Sequence, residues 1–419
     1  MLGATALLGC TPPVVPPATA SPGVVTPTAP PPTASPPPPS ASSPAAASFT
    51  WAARPDVFEG EDGASMVDVA AGPAGIVALS AHGPDEGSPT MRLWGSADGV
   101  TWQSINPKGL PDRVYIGGLW GAAGLYWIRG ALPDSDDPGI LYRSSDGVTW
   151  RPSRNMSARL QIWSLVDGCG ASITGSREAC PIFLTGTKDV DGAILRSTDG
   201  GDTWAAATVA DATGFKGGQD AAPVEIRGVV ATSDGLLAYG NGLPKASDTS
   251  GYLQARFWRS TDAGVRWTRV PNAAPLGELN VHQVAVADRL VVAVGDGVAD
   301  QIAVALTSTD SGRTWARSTT SGAAAEGGLS QVLAGRQGFV GLGFANPAQV
   351  DTFPVREFVW TSDDGATWGT GPAGDLEGGI VNDAVRFGDV IVAVGRAWTT
   401  NATGTWEAPF GPAVWTLGL

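Results

Sequence analysis

Charged side chains are scarce in this sequence, where they make up only 16% of the 419 residues. Combined with 57 glycines and 16 tryptophans, this scarcity argues against a mainly helical protein and favours many short strands joined by glycine turns. The 26 basic residues are outnumbered by 40 acidic ones, which gives a net charge of −14. We therefore expect no nucleic-acid partner, because phosphate binding requires clustered Lys and Arg.

Histidine is nearly absent. The chain has only His82 and His282, and neither forms a cluster with cysteine, so we expect no metal site and no cofactor. We recognise no Ser/His/Asp arrangement and no phosphate-binding glycine loop, and we expect no catalytic residues. Beyond the N-terminus, no run is long and apolar enough to span a bilayer.

Cysteine is also rare, with three residues in the whole chain. Cys169 and Cys180 lie close enough in sequence to close a short loop as a disulfide, which suits an oxidising compartment. The alternative is a pair of buried thiols. The third, Cys10, stands apart near the N-terminus.

The N-terminal segment predicts export. In residues 1–10, Leu7-Leu8-Gly9-Cys10 resembles a bacterial lipobox, whose cysteine is lipidated, although no Lys or Arg precedes the short apolar run. A chance cysteine is the alternative. Residues 11–47 are nearly all Pro, Ala, Ser, Thr and Val, and we expect a disordered spacer before a folded domain at 48–419. These features predict an extracytoplasmic lipoprotein that touches the membrane only through its lipid.

One turn motif, Ser-x-Asp-(x)-Gly-x-x-Trp, recurs six times. The copies starting at 197, 260 and 308 have the full spacing, and those at 96, 144 and 362 are one residue shorter. The Asp can accept hydrogen bonds from turn amides, the Gly supplies a backbone angle that a Cβ forbids, and the Trp packs under the turn. We therefore expect a structural role for Asp98, Trp102, Asp146, Trp150, Asp199, Trp204, Asp262, Trp267, Asp310, Trp315, Asp364 and Trp368.

Two apolar runs precede each copy of the motif, so one unit is four strands, A to D, with the motif at the C–D turn. Such units in tandem predict an all-β fold, a single seven-bladed β-propeller of four-stranded blades. The seventh unit ends after strand C, and residues 48–54, which include Trp51, resemble the D strands of the other units. We predict that this N-terminal strand completes the last blade and closes the ring.

The motif resembles the Asp box of the Asp-box (BNR-repeat) proteins, over residues 48–419. That family includes sialidases, xyloglucanases, sortilin-type receptors and photosystem assembly factors, so the resemblance implies the fold without choosing an activity. Sialidases carry an Arg-Ile-Pro motif, an arginine triad and a late tyrosine. This chain has no Arg-Ile-Pro, and none of its five tyrosines falls in the last blades.

The box turns would occupy one face of a propeller, so we expect a ligand on the other face, formed by the B–C loops and D–A connections. Exposed loop aromatics there can stack on sugars or dock into proteins; the alternative is that they cover the loops. The candidates are Phe353, Trp398, Trp406 and Phe410. By contrast, Trp120, Trp127 and Trp163 fall on predicted A or B strands, and we expect them in the core.

Several predicted loops are acidic. Carboxylates at alternate positions can bind calcium, but solvated loops are the favoured interpretation. The residues concerned are Asp134, Asp136, Asp137, Asp189, Asp191, Asp296 and Asp300. Taken together, the sequence predicts a monomeric, non-catalytic module that binds a glycan or protein. A sialidase-type hydrolase and an assembly factor for a membrane complex are the alternatives.

Overall fold

The computed structural model describes residue 58 and residues 63–83, 90–112, 114–131, 139–153, 160–169, 180–189, 191–210, 215, 224–243, 253–271, 275–298, 302–320, 327–336, 338–345, 356–377, 379–400 and 406–418. All of them belong to the unit Ala46–Leu419. The predictions for Cys10, for the spacer at 11–47 and for the closing strand at 48–54 lie outside the described residues.

Apart from one 3₁₀ turn at Leu276–Glu278, the described elements are strands. They form seven sheets, which we number as blades I to VII. Blade I holds β1 (Ser65–Gly72), β2 (Gly75–His82), β3 (Thr90–Ser96) and β4 (Gln103–Ile105); blade II holds β5 (Tyr115–Ala122), β6 (Leu125–Ala131), β7 (Ile140–Ser144) and β8 (Arg151–Pro152); blade III holds β9 (Leu160–Asp167), β10 (Ile182–Lys188), β11 (Asp191–Ser197) and β12 (Ala205–Ala206).

Two short strands add to the outer edges of blades IV and VI by parallel pairing. Blade IV holds β13 (Thr208–Val209), β14 (Val224–Thr232), β15 (Gly235–Gly242), β16 (Gln254–Ser260) and β17 (Arg266–Arg269); blade V holds β18 (Leu279–Ala287), β19 (Leu290–Gly297), β20 (Ala303–Ser308) and β21 (Ala316–Arg317); blade VI holds β22 (Thr319–Thr320), β23 (Gly327–Ala334), β24 (Phe339–Ala345), β25 (Arg356–Ser362) and β26 (Thr367–Glu377); blade VII holds β27 (Gly379–Phe387), β28 (Val390–Thr400) and β29 (Trp406–Gly418).

Within each blade the antiparallel strands follow the order A, B, C, D, with A at the inner edge. Each A strand contacts the A strands of both neighbouring blades, including β1 against β27, so the seven sheets form a closed ring around a channel. The predicted seven-bladed β-propeller is therefore confirmed. Among the described residues, the seventh sheet has strands A to C.

The box turns share a hydrogen-bond pattern among the Ser, the Asp and the turn amides, shown here by blade IV. Ser260 Oγ donates to Asp262 Oδ1 (2.8 Å) and accepts the amide of Gly264 (3.0 Å). Asp262 Oδ1 also accepts the amide of Arg266 (2.9 Å), and Trp267 Nε1 donates to the Gly264 carbonyl (3.1 Å). Gly264 has φ +82°, a conformation that a Cβ disfavours. In all six boxes the Ser donates to the Asp, and the Asp accepts at least one turn amide.

Box turns also join adjacent blades. The box glycine of each blade faces a B-strand side chain of the preceding blade: a Cβ on Gly201 would lie 2.2 Å from the ring of Trp127, and one on Gly264 would lie 2.3 Å from the ring of Phe183. Glycine is therefore required for close packing as well as for the turn. The apolar clusters between blades form the core, and its largest fully buried side chains include Trp127, Trp150, Trp258, Trp267, Trp360 and Trp368.

Three arginines add a polar contact between blades, which we call the arginine latches. Each precedes the box Ser of its blade and donates to a backbone carbonyl in the box turn of the next blade. Arg143 reaches the carbonyl of Gly200, Arg196 that of Ala263 and Arg259 that of Ser311. The three acceptors are the additional residues of the full-length boxes, and all have positive φ: Gly200, Ala263 and Ser311.

A disulfide joins Cys169 and Cys180 in the A–B connection of blade III. That connection follows β9 and precedes β10, on the same face as the box turns. The disulfide covalently joins the two ends of this connection, which is longer than the tight A–B turns of the other blades. Among the described residues, no helix is long and apolar enough to cross a membrane.

Candidate functional site

Each of the seven A strands has a β-bulge close to its first residues. A bulge leaves one residue without a partner and re-aims its side chain. Because the A strands line the channel and begin on the face opposite the boxes, the bulges together form a ring near the channel mouth. We call this set the bulge ring; it comprises Val67, the pair Gly117 and Gly118, Trp163, Arg227, His282, Ser330 and Asn382.

Trp163 of blade III and Arg227 of blade IV meet at one seam of this ring. Trp163 is 40% exposed, and its Nε1 donates to Thr187 Oγ1 (3.0 Å). The guanidinium of Arg227 lies 5.9 Å from the centroid of the Trp163 ring, a cation–π distance. The prediction that Trp163 lies in the core is wrong, because the bulge leaves Trp163 without a cross-strand partner and its side chain is exposed.

Arg227 is held by a chain of polar contacts. Its Nε donates to Glu225 Oε1 (2.7 Å), and the same oxygen accepts Asn241 Nδ2 (3.0 Å). Asn241 in turn bonds both backbone groups of Val281 in blade V, at 2.9 Å each. The guanidinium is therefore oriented before any ligand arrives, and the Arg227 side chain remains more exposed (29%) than that of Glu225 (15%).

His282 continues the chain toward blade VI. Its Nε2 lies 3.1 Å from Asp296 Oδ2, and its Nδ1 lies 3.2 Å from the carbonyl oxygen of Leu329. Asp296, expected in a solvated acidic loop, instead lies on β19 and contacts this imidazole. We call Trp163, Glu225, Arg227, His282 and Asp296 the rim cluster; it spans blades III to V.

The structure brings together two of the four aromatic residues that the sequence predicts as candidates for the ligand face. Trp398 and Phe410 lie 5.8 Å apart, edge to face, on the hairpin of β28 and β29. The guanidinium of Arg396 lies 5.2 Å from the Trp398 ring and 4.9 Å from the Phe410 ring. This group is half-buried on the B–C side of blade VII, the predicted ligand face. Phe353 and the side chain of Trp406 lie outside the described residues.

The box carboxylates are engaged in their own turns. The amide of Thr101, followed by that of Val100, lowers the pKa of Asp98, and the amide of Thr149 is the largest influence lowering the pKa of Asp146 to about 2. These Asp side chains remain ionised and hold turns together. In the part of the chain that the structure describes, no three His, Cys, Asp or Glu side chains are grouped so that they could hold a metal ion.

Sequence reasoning missed the rim cluster because the bulge breaks the alternation of a strand. A signal was nevertheless available. Aligning the seven A strands places Trp163 at a position that is polar in four other blades, where it is Arg227, His282, Ser330 and Asn382. A position that is polar in other blades is a poor candidate for the core.

These observations define a seven-bladed β-propeller with a polar and aromatic rim. The family model for the DUF6242 beta propeller domain matches residues 87–334, and the chain belongs to that family. No curated protein sequence matches the chain.

Solved structures with a similar fold include YCF48 bound to D1 peptide, with a TM-score of 0.52, 14% identity, and coverage of 90% of this chain and 99% of that one. The GH74 xyloglucanase of Xanthomonas campestris gives 0.48 and 15%, covering 88% of this chain and 55% of that one. A GH93 α-L-arabinofuranosidase of Fusarium graminearum gives 0.40 and 13%, covering 70% and 90%.

Proposed function

We propose that this protein is a non-catalytic binding module that holds a segment of a protein ligand at the rim cluster. The observation that carries the proposal is the contact between exposed Trp163 and Arg227 at the channel mouth. Trp and Arg are the residue types that most often dominate protein–protein binding energy. An indole ring offers a large apolar face to a ligand, and the guanidinium offers directed hydrogen bonds.

The rigidity of the rim supports the same proposal. Arg227 is already fixed by Glu225, which Asn241 ties to blade V. Binding of a ligand to this guanidinium does not incur the entropic cost of ordering a long side chain, which is about 0.5–1.5 kcal/mol in flexible interfaces. The site includes contacts between blades III and IV and between blades IV and V, so its shape depends on the closed ring.

The carboxylates of the rim support binding over hydrolysis. Glycoside hydrolysis needs one carboxyl group as an acid and a second as nucleophile or base, on opposite sides of a sugar bond. Here Glu225 is paired with Arg227 and Asp296 is paired with His282. Among the described residues, no contact places these two carboxylates on opposite sides of an open cleft. The rim therefore does not support a sialidase-type activity.

A peptide is favoured as the ligand because the structure of YCF48 with a similar fold was solved bound to D1 peptide. A glycan is the second candidate, since the exposed ring of Trp163 is also suited to stacking on a sugar. An assembly factor for a membrane complex would use the same rim to hold a protein segment. Export with lipidation at Cys10 also remains our proposal, and the disulfide between Cys169 and Cys180 supports an oxidising compartment.

The proposal is tested by probing residues 46–419 on two arrays, one of short peptides of diverse sequence and one of glycans. We expect selective peptide binding that is lost in Trp163→Ala and in Arg227→Gln. The matched control is Val265→Ala, which removes an exposed apolar side chain (47%) from a box turn on the opposite face. Glycan binding with the same loss would favour the second candidate. Binding that neither rim substitution changes would reject the rim as the site.

A further inference from the structure

Each B strand has an equivalent position near the face formed by the B–C loops and D–A connections, opposite the A-strand residue that lies two before the bulge. In blades III, IV and V this position is polar, and it holds Thr187, Asn241 and Asp296. Each of the three contacts a side chain of the rim cluster, at 3.0 or 3.1 Å. In blade VII the equivalent residue is Arg396, which pairs with Ile380.

Arg396 differs from its counterparts because its neighbours offer no acceptor. Both residues that flank it across the sheet, Ile380 and Pro412, have apolar side chains. Its Nε is buried without a hydrogen-bond partner, and among the described residues no carboxylate lies within ion-pair distance of its guanidinium. A guanidinium carries five N–H donors in a fixed fork. An acceptor from outside the described chain would therefore satisfy donors that the fold leaves unmatched.

The guanidinium is nevertheless held in place by aromatic rings. It lies 5.2 Å from the centroid of the Trp398 ring and 4.9 Å from that of Phe410, both cation–π distances. These rings are fixed by the backbone. Trp398 stands at an irregularity of the β28–β29 pairing, and the carbonyl of Phe410 accepts the amide of Gly63 (2.8 Å), in the connection that enters blade I. Arg396 is only half-buried, so a ligand meets a cation that is already oriented.

We propose that Arg396, Trp398 and Phe410 form a docking site for an aspartate or glutamate side chain of a partner protein. The planar fork of arginine matches a carboxylate, with which it forms two parallel hydrogen bonds. Arginine beside tryptophan is also the composition that dominates binding energy at protein interfaces. A net charge of −14 repels a ligand that bears many carboxylates, such as an acidic polysaccharide, and this favours a single carboxylate on a protein.

The site does not depend on the function proposed for the rim cluster, because it lies on blade VII and the rim cluster spans blades III to V. The test is fluorine NMR of the full chain labelled with fluorotryptophan, in which Trp398→Phe identifies the Trp398 signal. The probes are acetyl-Gly-Glu-Gly-amide and its uncharged counterpart acetyl-Gly-Gln-Gly-amide. We expect a saturable shift of the Trp398 signal with the first peptide and about tenfold weaker binding of the second, as loss of a charge-assisted hydrogen bond predicts.

Three variants separate docking from a merely structural role. Arg396→Gln should abolish the response to the Glu peptide, and Arg396→Lys, which keeps the charge without the fork, should weaken it. The matched control is Arg266→Gln, which makes the same change in net charge at an exposed residue of a box turn and should bind like the wild type. Unchanged signals of the other tryptophans in Arg396→Gln would show that the ring is intact.

Three results would overturn the inference. The first is no saturable shift of the Trp398 signal in the wild type. The second is an equal response of the wild type and Arg396→Gln, with the other tryptophan signals unchanged. The third is tighter binding of methyl glucuronide than of the Glu peptide, which would assign the site to a sugar acid instead of a protein. Arg227→Gln should leave the Trp398 response unchanged, so a failure here is distinguishable from a failure of the rim proposal.

Discussion

Arg196 of blade III donates from Nε to the backbone carbonyl of Ala263 in the box turn of blade IV, at 2.7 Å. Ala263 is the residue that makes this box one position longer than the boxes at 96, 144 and 362, and it has φ +55°. The same relationship holds for Arg143 with Gly200 and Arg259 with Ser311. The longer boxes therefore occur in the three blades that follow an arginine, and box length is explained by a contact between blades.

Removal of one latch should destabilise the ring modestly. We expect Arg196→Gln to lower the free energy of unfolding by about 1.5 kcal/mol, the lower end of the range for a hydrogen bond to a charged group, because the contact is exposed. Deletion of Ala263 removes the acceptor, so adding Arg196→Gln to that deletion should cost little more. Urea unfolding of the two single variants and the double variant measures this coupling. Strict additivity of the two effects would show that the contact contributes nothing to stability.

The box glycines should be far less replaceable than a glycine in an open turn. Gly201→Ala places a Cβ 2.2 Å from the ring of Trp127 at a residue with φ +87°, so it combines overpacking with backbone strain. We expect a loss of about 3 kcal/mol. The matched control is Gly388→Ala, where φ is +59° and nothing lies within 4 Å. It should lose only about 1 kcal/mol, the cost of the left-handed conformation. Equal losses in thermal unfolding would exclude the contact with Trp127 as the cause.

Stability should fall as pH rises toward alkaline values. Asp383 Oδ2 accepts the amide of Val69 (2.9 Å) where blade VII meets blade I, and burial raises the pKa of Asp383 to about 7. Burial, and next the charge of Asp383, raises the pKa of Asp68 well above its usual value; burial also raises the pKa of Glu357 to about 8. A carboxyl group with a raised pKa in the folded state stabilises fully below its unfolded pKa, and that contribution is lost as pH passes the folded value.

The free energy of unfolding should therefore decrease between about pH 5 and pH 8. Asp383→Asn retains an oxygen for the Val69 amide without the charge, so its profile should be flatter over that window. Asp389→Asn is the control, because Asp389 is exposed and its pKa is lowered, first by a hydrogen bond from Arg336. Parallel profiles for the wild type and Asp383→Asn would contradict this explanation.

The disulfide should contribute to stability by restraining the A–B connection of blade III. Cys169 and Cys180 are separated by 11 positions, and a loop of that size is stabilised by about 2–3 kcal/mol in the chain-entropy model. We expect the free energy of unfolding of the Cys169→Ser, Cys180→Ser variant to be lower by that amount, and its urea midpoint to be lower accordingly. Reduction of the wild type should give the same midpoint as the double variant. An unchanged midpoint in both cases would show that the connection is already restrained by its packing.

Much of the fold could be predicted from the sequence because the box turn is local. Its Ser, Asp, Gly and Trp interact within a few residues, so spacing alone sets the strand order and the number of blades. The latches could not be predicted in the same way, since Arg196 and Ala263 are 67 positions apart and meet only in the closed ring. The exposure of Trp163 could not be predicted for another reason. The bulge that exposes it cannot be recognised from the residue pattern of a single strand. The contact of His282 with Asp296 likewise depends on a bulge, because it forms where β18 pairs with β19 next to the shifted register.

Binding at the rim is the central claim, and a double-mutant cycle on Trp163 and Arg227 tests it most directly. The measurement is the dissociation constant of a peptide selected on the array, for the wild type, Trp163→Ala, Arg227→Gln and the double variant. Because the two side chains act as one surface, we predict at least a tenfold loss for each single variant, and a loss in the double variant smaller than the product of the two. Unchanged affinity in both single variants, with the fold intact, would contradict the account.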